Sequence, residues 1–174
     1  FGIYTTSQLK GLLSVLDSSI KVEETTGALK FSDKGTKVQY MLAAPSVIPA
    51  VPDLKELPPF DAEITLDDEF INKYIKSKGA LADADTFTFT CKNNKGEIIL
   101  GYSSINSNRI SISVNCSCDN DIEPIAFSAK YLKEILTANK GSKKSSLKIS
   151  SKGLAHVSFE DGDYTSNYYL VEIK

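Results

Sequence analysis

"AFSAKYLKEILTANKGSKK", residues 126–144, carries five lysines and one acid in a chain whose formal net charge is only -2. Leu132, Ile135 and Leu136 recur at three-and-four spacing, Ser128 stands where a helix N-cap belongs, and Gly141 follows the last turn as a stop. The stretch reads as an amphipathic helix with one apolar stripe. Counted from Lys130, the residues Lys133, Thr137 and Lys140 continue the helical repeat on the opposite side. The lysines therefore form a row. On a lone helix such a row is a solvated face with cations near its C-terminus, and further basic helices decide whether it means more.

The other helices come from the same periodicity. Residues 5–16 place Leu9, Leu12, Leu13 and Leu16 on one face, with Thr5 and Gln8 at capping-box spacing. Residues 66–77 bury Phe70, Ile71, Tyr74 and Ile75 and carry Lys73 and Lys76 away from that stripe, with Lys78 just beyond. Lys10 adds a weaker contribution in the first helix, offset by Asp17. Two basic helices on one domain would present one basic surface. The acids gather elsewhere, at Asp61, Glu63, Asp67, Asp68 and Glu69, at Asp119, Asp121 and Glu123, and at Glu160, Asp161 and Asp163, mostly in turns and helix starts. Segregation of this kind in a net-acidic chain marks one side that faces a polyanion and another that repels it.

Between the helices lie short alternating runs that read as antiparallel strands. They are "SIKVEE", "ALKFSD" and "TKVQYMLA" after the first helix; "FDAEIT" before the second and "TFTFTCK", "GEIILGYS" and "RISISVNC" after it; then "IAFS", "SSLKIS", "LAHVSFE" and "SNYYLVEI" around the third. Strand, helix and three strands thus recur three times at intervals of roughly fifty to sixty residues, an internal repeat. Two such units can bury their helical stripes side by side across a shared sheet. Residues 60–174 are expected to form one complete domain and residues 1–44 the second half of another, whose partner unit would precede Phe1. Residues 45–59 hold five of the six prolines and read as a connector.

The 174 residues and 41% hydrophobic content suffice for a real core. No run approaches the ~20 apolar residues of a membrane span, and the first residues do not resemble a signal peptide, so a soluble, cytoplasmic protein with no membrane contact is expected. Three cysteines, Cys91, Cys116 and Cys118, lack a framework spacing and are expected to be reduced, the last two sharing a strand face and pairing poorly.

"FGIYTTSQLKGLLSVLDSSIKVEE" at the start, and "AFSAKYLKEIL" with "SLKISSKGLAHVSFEDGDYTSNYYLVEI" at the end, resemble the DNA polymerase sliding clamps. The likeness is to the T4-type phage clamp and its archaeal and eukaryotic relative, proliferating cell nuclear antigen, with the first N-terminal unit apparently lacking. It spreads over most of the chain as a pattern rather than as a short signature. It implies an α+β clamp fold and a ring, usually of three subunits, that encircles duplex DNA and tethers a replicative polymerase after a clamp loader has placed it; if viral, it would act in the host cytoplasm. A monomeric, DNA-bound scaffold of the same fold is the alternative. Lys10, Lys73, Lys76, Lys78, Lys130, Lys133 and Lys140 would then face phosphates across water, a contact without register that permits sliding. The only arginine, Arg109, starts a strand and lies on none of these helices.

Two more sites follow from the resemblance. Client peptides would anchor at Val47, Ile48 and Val51 in the connector and at Leu154, Tyr169 and Val171, although the last two also suit ordinary strand core. Ring closure would pair residues 37–43 of one subunit with 109–115 of the next, involving Val38, Tyr40, Leu42, Ile110, Ile112 and Val114.

No catalytic machinery or cofactor is expected. Ser145 and Lys148 match Ser-x-x-Lys spacing without companion motifs. His156, the only histidine, lies in an alternating run as a surface or edge residue, and Asp119, Asp121 and Glu123 suit a turn as well as a cation. Neither a glycine-rich phosphate loop nor a Cys/His quartet with metal spacing is present.

Overall fold

The computed structural model describes residues 2–17, 19–48, 50, 56–102, 108–118 and 120–174. The chain divides into two compact units, Phe1–Lys55 and Glu56–Lys174, with the boundary inside the proline-rich stretch.

In the first unit, helix α1 (Thr6–Leu13) is followed by strands β1 (Lys21–Thr25), β2 (Ala28–Ser32) and β3 (Lys37–Met41), which form a sheet in that order. Both turns are written in the sequence. Gly27 takes a φ of 78° between β1 and β2, while the Asp33 carboxylate accepts the Gly35 and Thr36 N–H groups between β2 and β3. Leu29, Phe31, Val38 and Tyr40 form the core, against which Leu9, Leu12, Leu13 and Leu16 lie half-buried. The helix is shorter than its apolar pattern, and Thr5 makes no side-chain capping bond. A 3-10 turn, Pro45–Val47, follows.

The second unit holds strands β4 (Ala62–Thr65), β5 (Thr86–Lys92), β6 (Lys95–Leu100), β7 (Ile110–Cys118), β8 (Ile122–Ser128), β9 (Lys144–Ser150), β10 (Leu154–Asp161) and β11 (Tyr164–Val171). Helix α2 (Asp68–Ala80) follows β4, and helix α3 (Ala129–Ala138) follows β8. The strands make one antiparallel sheet in the order β11-β10-β9-β4-β7-β6-β5-β8. Its two repeats meet where β4 bridges β7 and β9. The inward residues of the sheet and the buried faces of both helices join in a single core cluster. The chain is thus α+β, with the helices packed on one face of the sheet.

Two expectations need correction. Pro124 was expected to precede the strand, yet β8 begins at Ile122 and contains it. Proline is tolerated there because β8 is an edge strand and its pairing with β5 shifts register between Phe89 and Cys91. The cysteines are not all reduced, since Cys91 and Cys118 are disulfide-bonded. Sheet order brings β5 and β7 to either side of β6, a proximity that sequence spacing does not reveal. Cys116 and Cys118 do share a face of β7.

Candidate nucleic-acid interface

Both helices of the second unit are fixed at their starts by side chains. The Asp67 carboxylate accepts the Phe70 N–H at 2.7 Å, and the Ser128 hydroxyl accepts the Tyr131 N–H at 3.3 Å. Phe70, Ile71, Tyr74 and Ser77 are the buried face of α2, and Ala129, Leu132 and Leu136 that of α3. The helices are neighbours: the Tyr74 hydroxyl, fully buried, donates to the Ala129 carbonyl at 3.3 Å. Burial pushes the Tyr74 hydroxyl far above its usual range, so it stays a neutral donor.

With their apolar faces in one core, the helices turn their other faces outward. Lys73, Lys76 and Lys130 are exposed there, and Lys133 is half-buried on the flank of α3. Lys140 is exposed just past the end of α3, which stops at Ala138 because the Asn139 side chain donates to the Ile135 carbonyl at 2.8 Å. Lys78 does something different. Its ammonium donates to the Ala82 carbonyl at 2.8 Å and the Leu81 carbonyl at 3.4 Å, holding the turn that follows α2. Lys10 is exposed on α1, in the other unit. Carboxylates are not absent from the lysine face: Glu69 pairs with Lys73 at 3.4 Å, and Glu134 is exposed on α3. An exposed i,i+4 pair is worth only about 0.3–0.5 kcal/mol, so Lys73 can exchange it for another anion.

Leu154, Tyr169 and Val171 lie on the outer face of the sheet, where register sets Leu154 opposite Val171 and His156 opposite Tyr169. Val171 is 71% exposed, so it is not strand core, and Tyr169 is half-buried under the stacked His156 ring at 4.8 Å. Val47 is exposed and Ile48 half-buried in the first unit, while Val51 lies outside the described residues.

The residues named for subunit contact turn inward instead. Val38 and Tyr40 are buried in the first core with Leu42 packed beside them, and Ile112 is buried in the second with Ile110 and Val114 against it. The outward side chains are Lys37, Gln39 and Met41 on β3 and Ser111, Ser113 and Asn115 on β7. What these strands can offer a neighbour is therefore backbone. β3 ends its sheet; β7 is internal, but β4 covers only Cys116–Cys118, and among the described residues its 110–115 stretch pairs on one side alone, with β6.

The enzyme-like features come apart. Ser145 faces the core and Lys148 the outer surface of β9, where Lys148 pairs with Glu63 at 3.6 Å. His156 Nε2 meets Asn167 Oδ1 at 2.8 Å, and Asp121, just before β8, accepts the N–H of Asn93 in the β5–β6 turn at 2.8 Å. Asp119 lies outside the described residues. No helix among the described residues is long and apolar enough to cross a membrane.

No protein-family model matches the sequence, and no curated protein matches it. Solved structures do. Proliferating cellular nuclear antigen from Entamoeba histolytica superposes with a TM-score of 0.72 at 18% identity, covering 97% of this chain and 70% of that one. A. fulgidus PCNA, solved with the C-terminal region of FEN-1 bound, gives a TM-score of 0.70 at 18% identity with the same coverages, 97% and 70%. Strand-and-helix units repeated along the chain, with helices laid on antiparallel sheets, give this chain the fold of proliferating cell nuclear antigen.

Proposed function

We propose that this chain acts as a sliding clamp, tracking duplex DNA without sequence preference and tethering a DNA polymerase. The observation that carries the reading is the adjacency of α2 and α3 with Lys73, Lys76 and Lys130 exposed on the faces turned from their common core. Hydrated ammonium groups on long stems attract a phosphate backbone without reading bases, which is the interaction that sliding requires. Lys133 and Lys140 extend the same row, Lys10 supplies a further cation in the first unit, and Lys78 serves mainly to hold the turn after α2. The role needs no catalysis, and the protein acts as a scaffold rather than an enzyme.

Subunits join by strand pairing, the β3 backbone of one against the 110–115 stretch of β7 in the next, as a homotrimeric ring fitted onto DNA by a clamp loader. Client proteins, the polymerase among them, anchor on the outer sheet face of the second unit at Leu154, Tyr169 and Val171.

Replacing Lys73, Lys76, Lys130 and Lys133 with alanine tests the reading. Folding should persist, and the dependence of log affinity for duplex DNA on log salt should flatten by up to about 0.9 for each lysine that faces a phosphate. An unchanged slope in a folded variant removes these helices from the DNA interface. Mass measurement in solution tests ring assembly separately.

A further inference from the structure

Three sulfur atoms meet at one end of the second unit's sheet. Cys116 Sγ stands 3.1 Å from Cys118 Sγ and 3.6 Å from Cys91 Sγ, and Cys91 and Cys118 are disulfide-bonded. All three lie within 4.8 Å of one another. Adjacent strands sit about 4.8 Å apart, so residues two strands apart are ordinarily near 10 Å. The Cys91 and Cys118 Cα atoms are only 7.0 Å apart, because β6 begins at Lys95, opposite Asn115, and Cys118 lies past its end, while Gly96 is paired with Cys91. A Cβ on Gly96 would stand 2.5 Å from Cys116 Sγ, so glycine leaves the space that the sulfur fills. The register shift between β5 and β8 falls at Cys91, where an irregular pairing re-aims side chains.

This arrangement suits ligation better than disulfide exchange. Exchange needs attacking, attacked and leaving sulfurs in a row, whereas Cys116 is nearly equidistant from the other two. A tetrahedral zinc with Zn–S bonds of about 2.3 Å spaces its sulfurs about 3.8 Å apart, close to the separations of Cys116 from its neighbours. Cys91 is buried, while Cys116 and Cys118 are half-exposed, leaving one side of the triangle open to a water ligand.

We propose that Cys91, Cys116 and Cys118, once reduced, bind one thiophilic d10 cation, zinc being the fitting example, and that the disulfide and the metal are alternative states of this site. Two equivalents of a small-molecule thiol reduce the Cys91–Cys118 bond by two electrons, joining to each other as a disulfide and leaving two protein thiols. The cation then replaces the three thiol protons, which pass to solvent, and water completes the coordination.

The test uses the full chain, reduced with a phosphine in one sample and oxidised in another. Cobalt(II) should give the intense thiolate-to-metal absorption of a sulfur-rich site in the reduced sample alone, and zinc should displace it at one ion per chain. Cys116→Ser should weaken zinc by more than about 100-fold, beyond the ~10–100-fold cost of disturbing a ligand's outer contacts, and Gly96→Ala should fall within that lower range. Reduced wild-type protein that takes up no stoichiometric cobalt or zinc overturns the proposal, whatever the variants do, and leaves the site a structural disulfide with a spare thiol.

Discussion

The first unit lays one helix on three strands, and that helix has no buried residue; the second lays two helices side by side on eight strands, with Tyr74, Leu132 and Leu136 wholly excluded from solvent. The repeats share a pattern but not a burial. Half-buried Leu9, Leu12 and Leu13 show what an amphipathic helix achieves against a small sheet alone, and Tyr74 reaching the Ala129 carbonyl shows what the second helix adds. Pairing, more than amphipathicity, makes a helical stripe into core.

Core truncation should separate the units most strongly. Leu136→Ala, at a fully buried site, should cost about 2–5 kcal/mol, and Leu12→Ala, half-buried, about 1 kcal/mol or less. Hydrogen exchange read unit by unit checks this, and equal losses would erase the contrast. Capping should divide them next: Asp67→Ala removes a 2.7 Å bond and should cost about 0.5–2 kcal/mol, while Thr5→Ala, with no capping bond to lose, should stay within about 0.5 kcal/mol. Thermal melts of the two variants decide.

The smallest effect is in acid. N–H groups of Asp17, Gly35 and Thr36 lower the Asp33 pKa from 3.8 to about 2. Asp61, in the second unit, is lowered chiefly by the Ser151 N–H, which it accepts at 2.7 Å. Because both folded values are depressed, their contributions are complete above the ordinary carboxylate range and vanish as pH falls through the lowered values. Asp33→Asn should therefore flatten the loss of protection between about pH 4 and 2 in the first unit only, and Asp61→Asn should flatten the acid loss below the ordinary carboxylate range in the second only. Exchange measured across that interval would show any crossover.

Local signals carried much of the fold. The α3 cap at Ser128 and the outward placement of Lys73, Lys76 and Lys130 follow from spacing within a few residues, and the structure has them as read. What escaped depends on strand order or on face. Val38, Tyr40 and Ile112 lie on expected strands but turn into the cores, because alternation fixes two faces without saying which is inside. The three sulfurs converge only because β6 lies between β5 and β7 and carries glycine at that level. Lys78 reads as another member of the basic row until its carbonyl partners are seen. Asn93 and Asn94, both at positive φ, form the β5–β6 turn, a two-residue hairpin signal that the strand pattern alone left unused.

The Ile173 N–H donates to the Ala126 carbonyl at 2.8 Å, linking the segment after β11 to β8, so the two outermost strands of the sheet are stitched together. Both strands belong to the third repeat, whose β11 and β8 flank the four strands of the second on either side. Fraying at either rim therefore loosens the other, and the second unit should melt as one cooperative body, its duplicated halves denied the separate transitions that their sequence symmetry would otherwise permit.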